Sequence, residues 1–248
     1  MEAVYTQTFQ LTDLHLDRFR RLKSSVLLYF IQEVSGYHAA RLGAGWEALA
    51  QKNLFWAIIR HHVEIFRMPE GEQTITLRTW PMPTTRVAYP RATEGYDKNG
   101  NLLFRSHAIW VLMDRTSRAM VLPGKSGVEV PGTLQGTEIP APGSIREREL
   151  PNGTAWQVGY SLLDRNGHMN NTRYLDWVDD LLPSEFHREH ILARLQICYL
   201  AEAKEGQQIH LSWYLDGNND LQVEAHTQGA NSHRVFAVNA QFGDFVQA

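Results

Sequence analysis

A polar loop that runs into an apolar segment carries the residues best suited to chemistry. Asp164, Asn166 and His168 alternate along this loop, and Tyr174 begins the apolar segment. We expect the segment to be a helix, whose first backbone N–H groups would stabilise negative charge on a carbonyl oxygen. His168 is the natural residue to handle a proton at physiological pH. The loop is therefore predicted to support hydrolysis.

The same residues also have structural interpretations. Asp164 and Asn166 are common turn and capping residues, and His168 is one of 11 histidines in the chain. Asn170 and Asn171 are better explained as caps of the predicted helix than as catalytic groups. The residue types alone therefore leave the role of the loop open.

The loop has an earlier counterpart in the chain. The tripeptide Leu-Asp-Arg occurs at 16–18 and again at 163–165, and 164 minus 17 gives an offset of 147 residues. The first copy lacks the polar residues of the second, because it has Phe19 at the position of Asn166 and Arg21 at the position of His168. We interpret the pattern as two related modules with chemistry in the second only.

Length and composition limit the classes of function. A chain of 248 residues can form one large domain or two ordinary ones, and the repeat favours two. The formal net charge of −3 argues against general binding to nucleic acid or to a membrane surface. The single cysteine, Cys198, rules out an intrachain disulfide. We find no signal peptide pattern and no apolar run that would insert into a membrane, so we expect a cytoplasmic protein.

The first half of the chain predicts one long helix followed by an antiparallel meander. Apolar residues at helical spacing should form the buried stripe of that helix: Phe19, Leu22, Val26, Tyr29, Phe30, Val34 and Tyr37. Strands are predicted at 6–11, 55–66, 74–80, 86–96 and 102–113. Gly43 and Gly45 should end the helical region.

The second half repeats this order in shorter form. A strand at 155–160 and a helix at 171–182 should precede strands at 192–203, 208–215, 221–228 and 234–242. The region between the halves is rich in Pro, Gly, Thr and Glu. We therefore assign residues 1–130 to a first module, 131–150 to a linker and 151–248 to a second module. The pattern is typical of the α+β class.

Four segments carry a family resemblance. They are residues 52–56, the Thr79-Trp80 strand with the following Arg91, residues 108–118, and residues 164–174. In these segments the chain resembles the acyl-acyl carrier protein thioesterase family. The resemblance implies an α+β fold of two tandem hot-dog modules, each an antiparallel sheet wrapped around a long helix. It assigns acyl-chain binding to the first module and catalysis to the second.

The resemblance also implies a set of catalytic residues. Asp164, Asn166 and His168 match the family's loop residues, and Glu202 matches the acid on the strand that includes residues 199–203. Many plant members have a cysteine directly after this glutamate, but this chain has Ala203 there. A thiol nucleophile at that position is excluded.

Cys198 is a poor substitute for the missing thiol. It lies five residues before Ala203, and an odd displacement along a strand changes the face to which a side chain points. Since a covalent route needs a nucleophile beside its base, we expect water to attack the thioester directly.

We expect each of the four residues to have its own role in that attack. Glu202 and His168 would orient and deprotonate the water, and either could be the principal base. Asn166 would position the carbonyl or the water, and Asp164 would orient His168 or the loop backbone. Backbone N–H groups near residues 169 and 170 would polarise the carbonyl.

The resemblance names acyl carrier protein, with an acyl chain on its phosphopantetheine, as the partner. Its acidic surface would dock on basic residues near the site, for which Arg165, Arg173 and Lys204 are candidates. No nucleic acid is expected, and a homodimer is compatible with the sequence. No cofactor is expected and no metal is assigned, because the adjacent His61 and His62 would point to opposite faces of a strand.

Other functions stay open at this point. An acyl-CoA thioesterase could use the same site, and a non-catalytic lipid-binding hot-dog protein would result if Glu202 and His168 did not meet. A hydratase is conceivable on this fold but usually needs a different Asp/His loop.

Overall fold

The chain divides into two compact units, Met1–Pro142 and Gly143–Ala248. The computed structural model describes residues 3–136 and 138–245; residues 1–2, 137 and 246–248, at the outer ends of the predicted modules and in the predicted linker, lie outside the described residues. Each unit combines helices with an antiparallel sheet, so the predicted α+β class is confirmed. No helix within the described ranges is long and apolar enough to span a bilayer.

The first unit is a six-stranded sheet with one long helix. Its sheet order is β1-β3-β4-β5-β2, and the short β6 pairs with β5. In chain order the elements are β1 (Tyr5–Gln10), α1 (Ser24–Arg41), α2 (Trp46–Gln51), β2 (Leu54–Ile65), β3 (Thr74–Pro81), β4 (Tyr89–Tyr96), β5 (Leu102–Asp114), β6 (Met120–Val121) and α3 (Pro123–Ser126).

The buried face of α1 differs from the predicted stripe. Leu27, Ile31 and Val34, spaced by four and three residues, are buried as a helical face should be. Tyr29 and Tyr37 are half exposed, so their predicted burial is wrong. Tyr29 follows Leu27 by two residues, which places it on the far side of the helix.

The second unit is a five-stranded sheet, and its helices are short. Its sheet order is β8-β11-β10-β9-β7. In chain order the elements are β7 (Asn152–Gln157), α4 (Tyr174–Asp179), α5 (Ser184–Glu189), β8 (His190–Tyr199), β9 (Gln208–Leu215), β10 (Asp220–Thr227) and β11 (Arg234–Asp244).

The helix predicted at 171–182 is wrong in length. Residues 171–173 form a 3₁₀ turn, α4 follows with six residues, and Pro183 precedes the separate α5. The backbone tightens where α4 ends, since the N–H groups of Leu181 and Leu182 donate to carbonyls three residues earlier. A long helix is therefore present in the first unit only.

Three predicted strands are also too long. β4 begins at Tyr89 because Thr85 closes a turn on the N–H of Ala88. β7 ends at Gln157, shortly before the 3₁₀ turn at 160–162. β8 ends at Tyr199, where the N–H groups of the next two residues both donate to the carbonyl of Val235. The segment that carries Glu202 is therefore a loop after the strand.

Candidate active site

The loop at 163–169 is organised by the carboxylate of Asp164. One of its oxygens accepts the backbone N–H of Asn166 at 2.8 Å and, more weakly, that of His168 at 3.4 Å. The backbone N–H of Asp164 donates to the carbonyl of His168 at 2.8 Å. Gly167 has a φ of +78°, a conformation that glycine adopts at no steric cost and that this tight return requires. The side chain of Asp164 thus fixes the course of the loop.

The second oxygen of this carboxylate orients Asn166. The side-chain Nδ2 of Asn166 donates to Oδ2 of Asp164 at 3.3 Å. An amide nitrogen carries two hydrogens, so the second N–H can serve a substrate oxygen. Asp164 therefore acts on the amide and the loop backbone.

The loop docks on the segment that follows β8. The N–H of Met169 donates to the carbonyl of Ala203 at 2.8 Å, and His168 pairs with Lys204 in an isolated antiparallel bridge. This pairing brings Glu202 beside the histidine. The Nε2 atom of His168 lies 3.1 Å from Oε2 of Glu202.

The pair is partly accessible to solvent. The His168 side chain is 14% exposed and that of Glu202 is 36% exposed, so water can reach the carboxylate. A hydrogen-bonded imidazole and carboxylate can hold a proton and pass it on, which is what acid–base hydrolysis requires. The structure thus places Asp164, Asn166, His168 and Glu202 in one site, while their catalytic roles stay predictions.

Tyr174 is a member of this site whose role the sequence did not indicate. Its side chain is buried, and its ring contacts those of Tyr199 and Phe236 at centroid distances of 5.8 and 4.6 Å. Burial raises the pKa of its hydroxyl, and the charges of Asp164 and Glu202 raise that pKa further. The hydroxyl is therefore protonated at neutral pH. Its spacing from the loop was the signal that could have identified it.

The predicted polarisation by backbone N–H groups near residues 169 and 170 is wrong. The N–H of Met169 donates to Ala203, and that of Asn170 donates to the carbonyl of Leu162 at 2.8 Å. The capping interpretation of Asn170 is confirmed, because its Oδ1 accepts the backbone N–H of Thr172 at 3.0 Å. Both backbone donors are thus used within the protein, which leaves the side-chain amide of Asn166 as the oxyanion donor that we favour.

Cys198 and the adjacent histidines at 61 and 62 lie outside this site and make other contacts. Cys198 is buried and its Sγ atom contacts the carbonyl of Gly143 at 3.5 Å. No group of three or more His, Cys, Asp or Glu side chains in residues 3–136 and 138–245 could hold a metal ion. Near the two adjacent histidines, His62 Nε2 instead lies 3.4 Å from Glu64, which also pairs with Arg105.

The loop in the first unit repeats the backbone of this site without its chemistry. The Asp17 carboxylate accepts the backbone N–H groups of Phe19 and Arg21 at 2.8 and 2.9 Å, as Asp164 accepts those at 166 and 168. Arg20 has a φ of +64°, matching the glycine at 167. The backbone bridges are repeated as well, 16 with 22 and 163 with 169. The internal repeat therefore extends to hydrogen bonds.

The first copy has other residues at the positions of His168 and Glu202. Arg21 stands at the position of the histidine, and its Nη2 lies 3.1 Å from the Asp17 carboxylate. The N–H of Leu22 donates to the carbonyl of Pro69, so Met68 is the counterpart of the glutamate at 202. A guanidinium stays protonated and a thioether carries no proton, so this copy cannot perform acid–base chemistry.

Asp17→Ala is expected to lower the free energy of unfolding by about 2 kcal/mol, because it removes a carboxylate that pairs with the buried Arg21 guanidinium and accepts two backbone N–H groups of the loop. The Arg21 side chain is only 4% exposed. Urea unfolding followed by circular dichroism would measure the change. The matched control is Asp13→Ala, which removes an exposed carboxylate 3.9 Å from Arg20. Equal losses in the two variants would contradict the stabilising role of the Asp17 pair.

Comparison with known proteins identifies both units. The family model described as "Acyl-ACP thioesterase N-terminal domain" matches residues 2–122, and the one described as "Acyl-ACP thioesterase C-terminal domain" matches residues 146–243. A palmitoyl-acyl carrier protein thioesterase of Gossypium hirsutum is 26% identical over 214 residues, which cover 80% of this chain and 52% of the relative. A dodecanoyl-[acyl-carrier-protein] hydrolase of Cinnamomum camphora is 24% identical, covering 80% of this chain and 56% of that protein. The chain thus spans about half the length of these curated relatives.

Solved structures share the fold. An acyl-ACP thioesterase from Bacteroides thetaiotaomicron has a TM-score of 0.88 and 25% identity, covering 97% of this chain and 98% of that one. A 12:0-ACP thioesterase from Umbellularia californica has a TM-score of 0.82 and 19% identity, covering 99% of each chain. The predicted tandem hot-dog architecture is confirmed by these likenesses.

Proposed function

Because the chain belongs to the acyl-acyl carrier protein thioesterase family, we propose that it hydrolyses acyl-acyl carrier protein to a free fatty acid and the carrier thiol. The observation that carries this proposal is the 3.1 Å contact between His168 Nε2 and Glu202 Oε2 beside an oriented Asn166 amide. The first unit, which has Arg21 and Met68 at the positions of His168 and Glu202, would bind the acyl chain.

The reaction proceeds by direct attack of water. The water oxygen bonds to the thioester carbon while its proton passes to the Glu202 carboxylate, which His168 holds through Nε2. The Asn166 amide donates to the carbonyl oxygen as it becomes an oxyanion, and Asp164 holds that amide in place. The carbon–sulfur bond then breaks, and the pair returns the proton to the thiolate. We assign the base to Glu202 because it is the more exposed member of the pair.

Thiol release from a panel of thioesters tests the proposal. Purified protein would be incubated with dodecanoyl and palmitoyl chains on acyl carrier protein and on coenzyme A, and the released thiol would be measured. We expect faster release from the carrier protein. Release only from coenzyme A would favour the alternative acyl-CoA thioesterase, and no release from any substrate would contradict the enzyme proposal.

The carrier protein would dock near the loop on basic residues. Lys204 is exposed and bridges to His168, while Arg165 lies within the loop and Arg173 pairs with Asp176 at 3.1 Å. An acidic carrier would be attracted to these charges at low salt. Acyl carrier protein is thus the proposed partner, and a homodimer stays a prediction.

Lys204→Glu is expected to raise KM for acyl-acyl carrier protein by about two- to fivefold at low ionic strength, because it reverses one exposed charge in the docking surface. The increase should shrink as salt is added. Steady-state rates with acyl-pantetheine, which lacks the carrier, should be unchanged. Lys98→Glu, at an exposed turn in the first unit, is the control. A salt-independent change in kcat would contradict a docking role for Lys204.

We also propose a cytoplasmic location. Its support is the single cysteine, which is buried and free, as expected of a protein in a reducing compartment. The plant relatives are named chloroplastic. Fractionation of the native host, with the protein followed by antibody, would test the location.

A further inference from the structure

The inner face of the first unit's sheet, on which α1 packs, carries polar side chains in two neighbouring rows. Strand register places Thr79, Thr93 and Ser106 in one row. It places Arg91 and, two strands away, His61 in the next row. All five are buried. We call these five residues the polar belt.

The register and one contact show that this face is turned towards α1. The Nη1 atom of Arg91 donates to Nδ1 of His38, a buried residue of α1, at 3.2 Å. Paired residues on neighbouring strands share a face, so His61, which is two pairings from Arg91, points to the same side. The belt therefore lies in the interior between helix and sheet.

Large apolar side chains flank the belt on both sides along the strands. The row before it contains Leu77 and Phe104, whose ring lies where a Cβ on Gly95 would have to be, 2.2 Å away. The row after it contains Tyr89 and Trp110. Large aliphatic and aromatic side chains thus lie on either side of the belt, and Nε1 of Trp110 is the buried nitrogen in these rows that lacks a partner in the described residues.

The side chains at the centre of the belt are small. On β5, Ser106 of the belt and its neighbour Ala108 lie between Phe104 and Trp110 of the flanking rows. Side-chain volume on β5 therefore falls where the belt crosses it. A ligand in this interior would be accommodated at the belt.

Hydrogen bonding in the belt is complete at one end and incomplete at the other. Thr93 donates to Thr79 at 2.9 Å, and Arg91 Nη1 also donates to Thr79 at 3.3 Å. Towards the other end, Ser106 Oγ and His61 Nε2 are buried and have no hydrogen-bond partner in the described part of the chain. Buried polar atoms without partners cost free energy, so these two atoms point to a ligand atom that completes them.

The chemistry of the belt favours an oxygen acceptor. Burial lowers the pKa of Arg91 to about 10, so its guanidinium still carries a charge at neutral pH, and no carboxylate within the described ranges pairs with it. Burial lowers the pKa of His61 to about 3, so its ring is neutral and can donate or accept. A hydroxyl or oxo oxygen can accept hydrogen bonds from these donors, whereas a methylene group cannot.

We propose that the polar belt binds a hydroxyl or oxo oxygen carried in the middle of the acyl chain, so that the protein prefers oxygenated acyl thioesters to plain ones. This rests on the proposed function, in which the first unit binds the acyl chain. The apolar rows on both sides of the belt fit the hydrocarbon that precedes and follows such an oxygen. Ser106 and His61 are the residues that recognise it.

A competition assay tests this inference. Acyl carrier protein carrying a palmitoyl chain would compete with carrier protein whose palmitoyl chain has a hydroxyl group, moved in turn along its length, and the released acids would be measured by mass spectrometry. At one region of the chain, we expect kcat/KM for the hydroxylated substrate to exceed that for the plain one by about tenfold, as for one added hydrogen bond. A ratio of one or less at every position would overturn the inference and leave water as the occupant of the belt.

Variants locate the preference in the belt. In Ser106→Ala and His61→Leu, the ratio should fall towards one while hydrolysis of the plain palmitoyl substrate persists. Thr8→Ala removes a hydroxyl from an exposed strand position and should keep the wild-type ratio. A wild-type ratio in both belt variants would also overturn the inference. If thermal melting shows that one variant is not folded, the other variant and the wild-type scan of hydroxyl positions decide whether the inference holds.

The two proposals fail in different ways. If no acid is released from any thioester, the proposed function is wrong. If plain palmitoyl chains are released and hydroxylated ones are not preferred, only the inference about the belt is wrong.

Discussion

The His168→Ala variant is expected to hydrolyse acyl-acyl carrier protein about 10²- to 10⁴-fold more slowly than the wild type, the range typical of removing a general acid–base group. The imidazole holds the Glu202 carboxylate at 3.1 Å and shares the proton that must reach the departing sulfur. The loss should appear in kcat, because binding of the acyl chain is assigned to the first unit. Single-turnover rates at saturating enzyme would measure the chemical step directly.

A second histidine–carboxylate pair in the same unit provides the control. His226 Nε2 lies 2.9 Å from Oε1 of Glu147, and both side chains are partly exposed. His226→Ala removes the same chemical group from a similar pair outside the candidate site, so its kcat should match the wild type. If His168→Ala retained the full wild-type rate, the assignment of the site would be wrong even though the enzyme proposal could stand.

The local part of this site could be predicted from the sequence because it depends on short-range interactions. Asp164, Asn166 and His168 lie within five residues, and an aspartate followed by asparagine and glycine predicts a closed turn. The earlier Leu-Asp-Arg tripeptide predicted a related module, and the hydrogen bonds of Asp17 repeat the turn there, although the apolar pattern assigns Phe19 and Leu22 to a helix that begins only at Ser24. Turn chemistry of this kind is encoded by neighbouring residues.

The position of Glu202 could not be derived in this way. Its approach to His168 depends on the backbone bond from Met169 to Ala203, between segments 34 residues apart (203 minus 169). Residue periodicity contains no information about such a pairing, so only the family resemblance indicated this glutamate. The resemblance also placed it on a strand, whereas β8 ends at Tyr199.

Helix length was the least predictable element of the second unit. The apolar residues from Tyr174 to Leu182 continue the helical pattern, yet α4 ends at Asp179. Helix propensity is a weak preference that local backbone geometry and packing override. In the first unit, α1 has 18 residues and begins at Ser24, so Phe19 and Leu22 of the predicted stripe lie outside it, and Tyr29 and Tyr37 are half exposed.

The polar belt shows a further limit of sequence interpretation. Thr93 and Ser106 each look like ordinary strand residues, and only the family resemblance singles out Arg91. Their proximity arises from the register of separate strands, with residue 93 opposite 106 and residue 91 opposite 108. A cluster formed across strands becomes visible only when the pairing of those strands is known.

Glu202→Gln is expected to lower kcat about 10²- to 10⁴-fold, because the amide keeps the shape of the side chain but cannot accept the proton of the attacking water. Its oxygen can still accept a hydrogen bond from His168 Nε2, so melting temperature should change little.

The double variant His168→Ala/Glu202→Gln decides whether the two residues act as one unit. If a single proton is shared across the 3.1 Å contact, removing either residue stops the same step, and the double variant should be only slightly slower than the slower single variant. Losses that multiply would show that the residues act independently and would contradict the shared-proton mechanism. The matched controls are His226→Ala, Glu147→Gln and the variant that combines them. All three should keep the wild-type kcat, because that pair lies outside the reacting site.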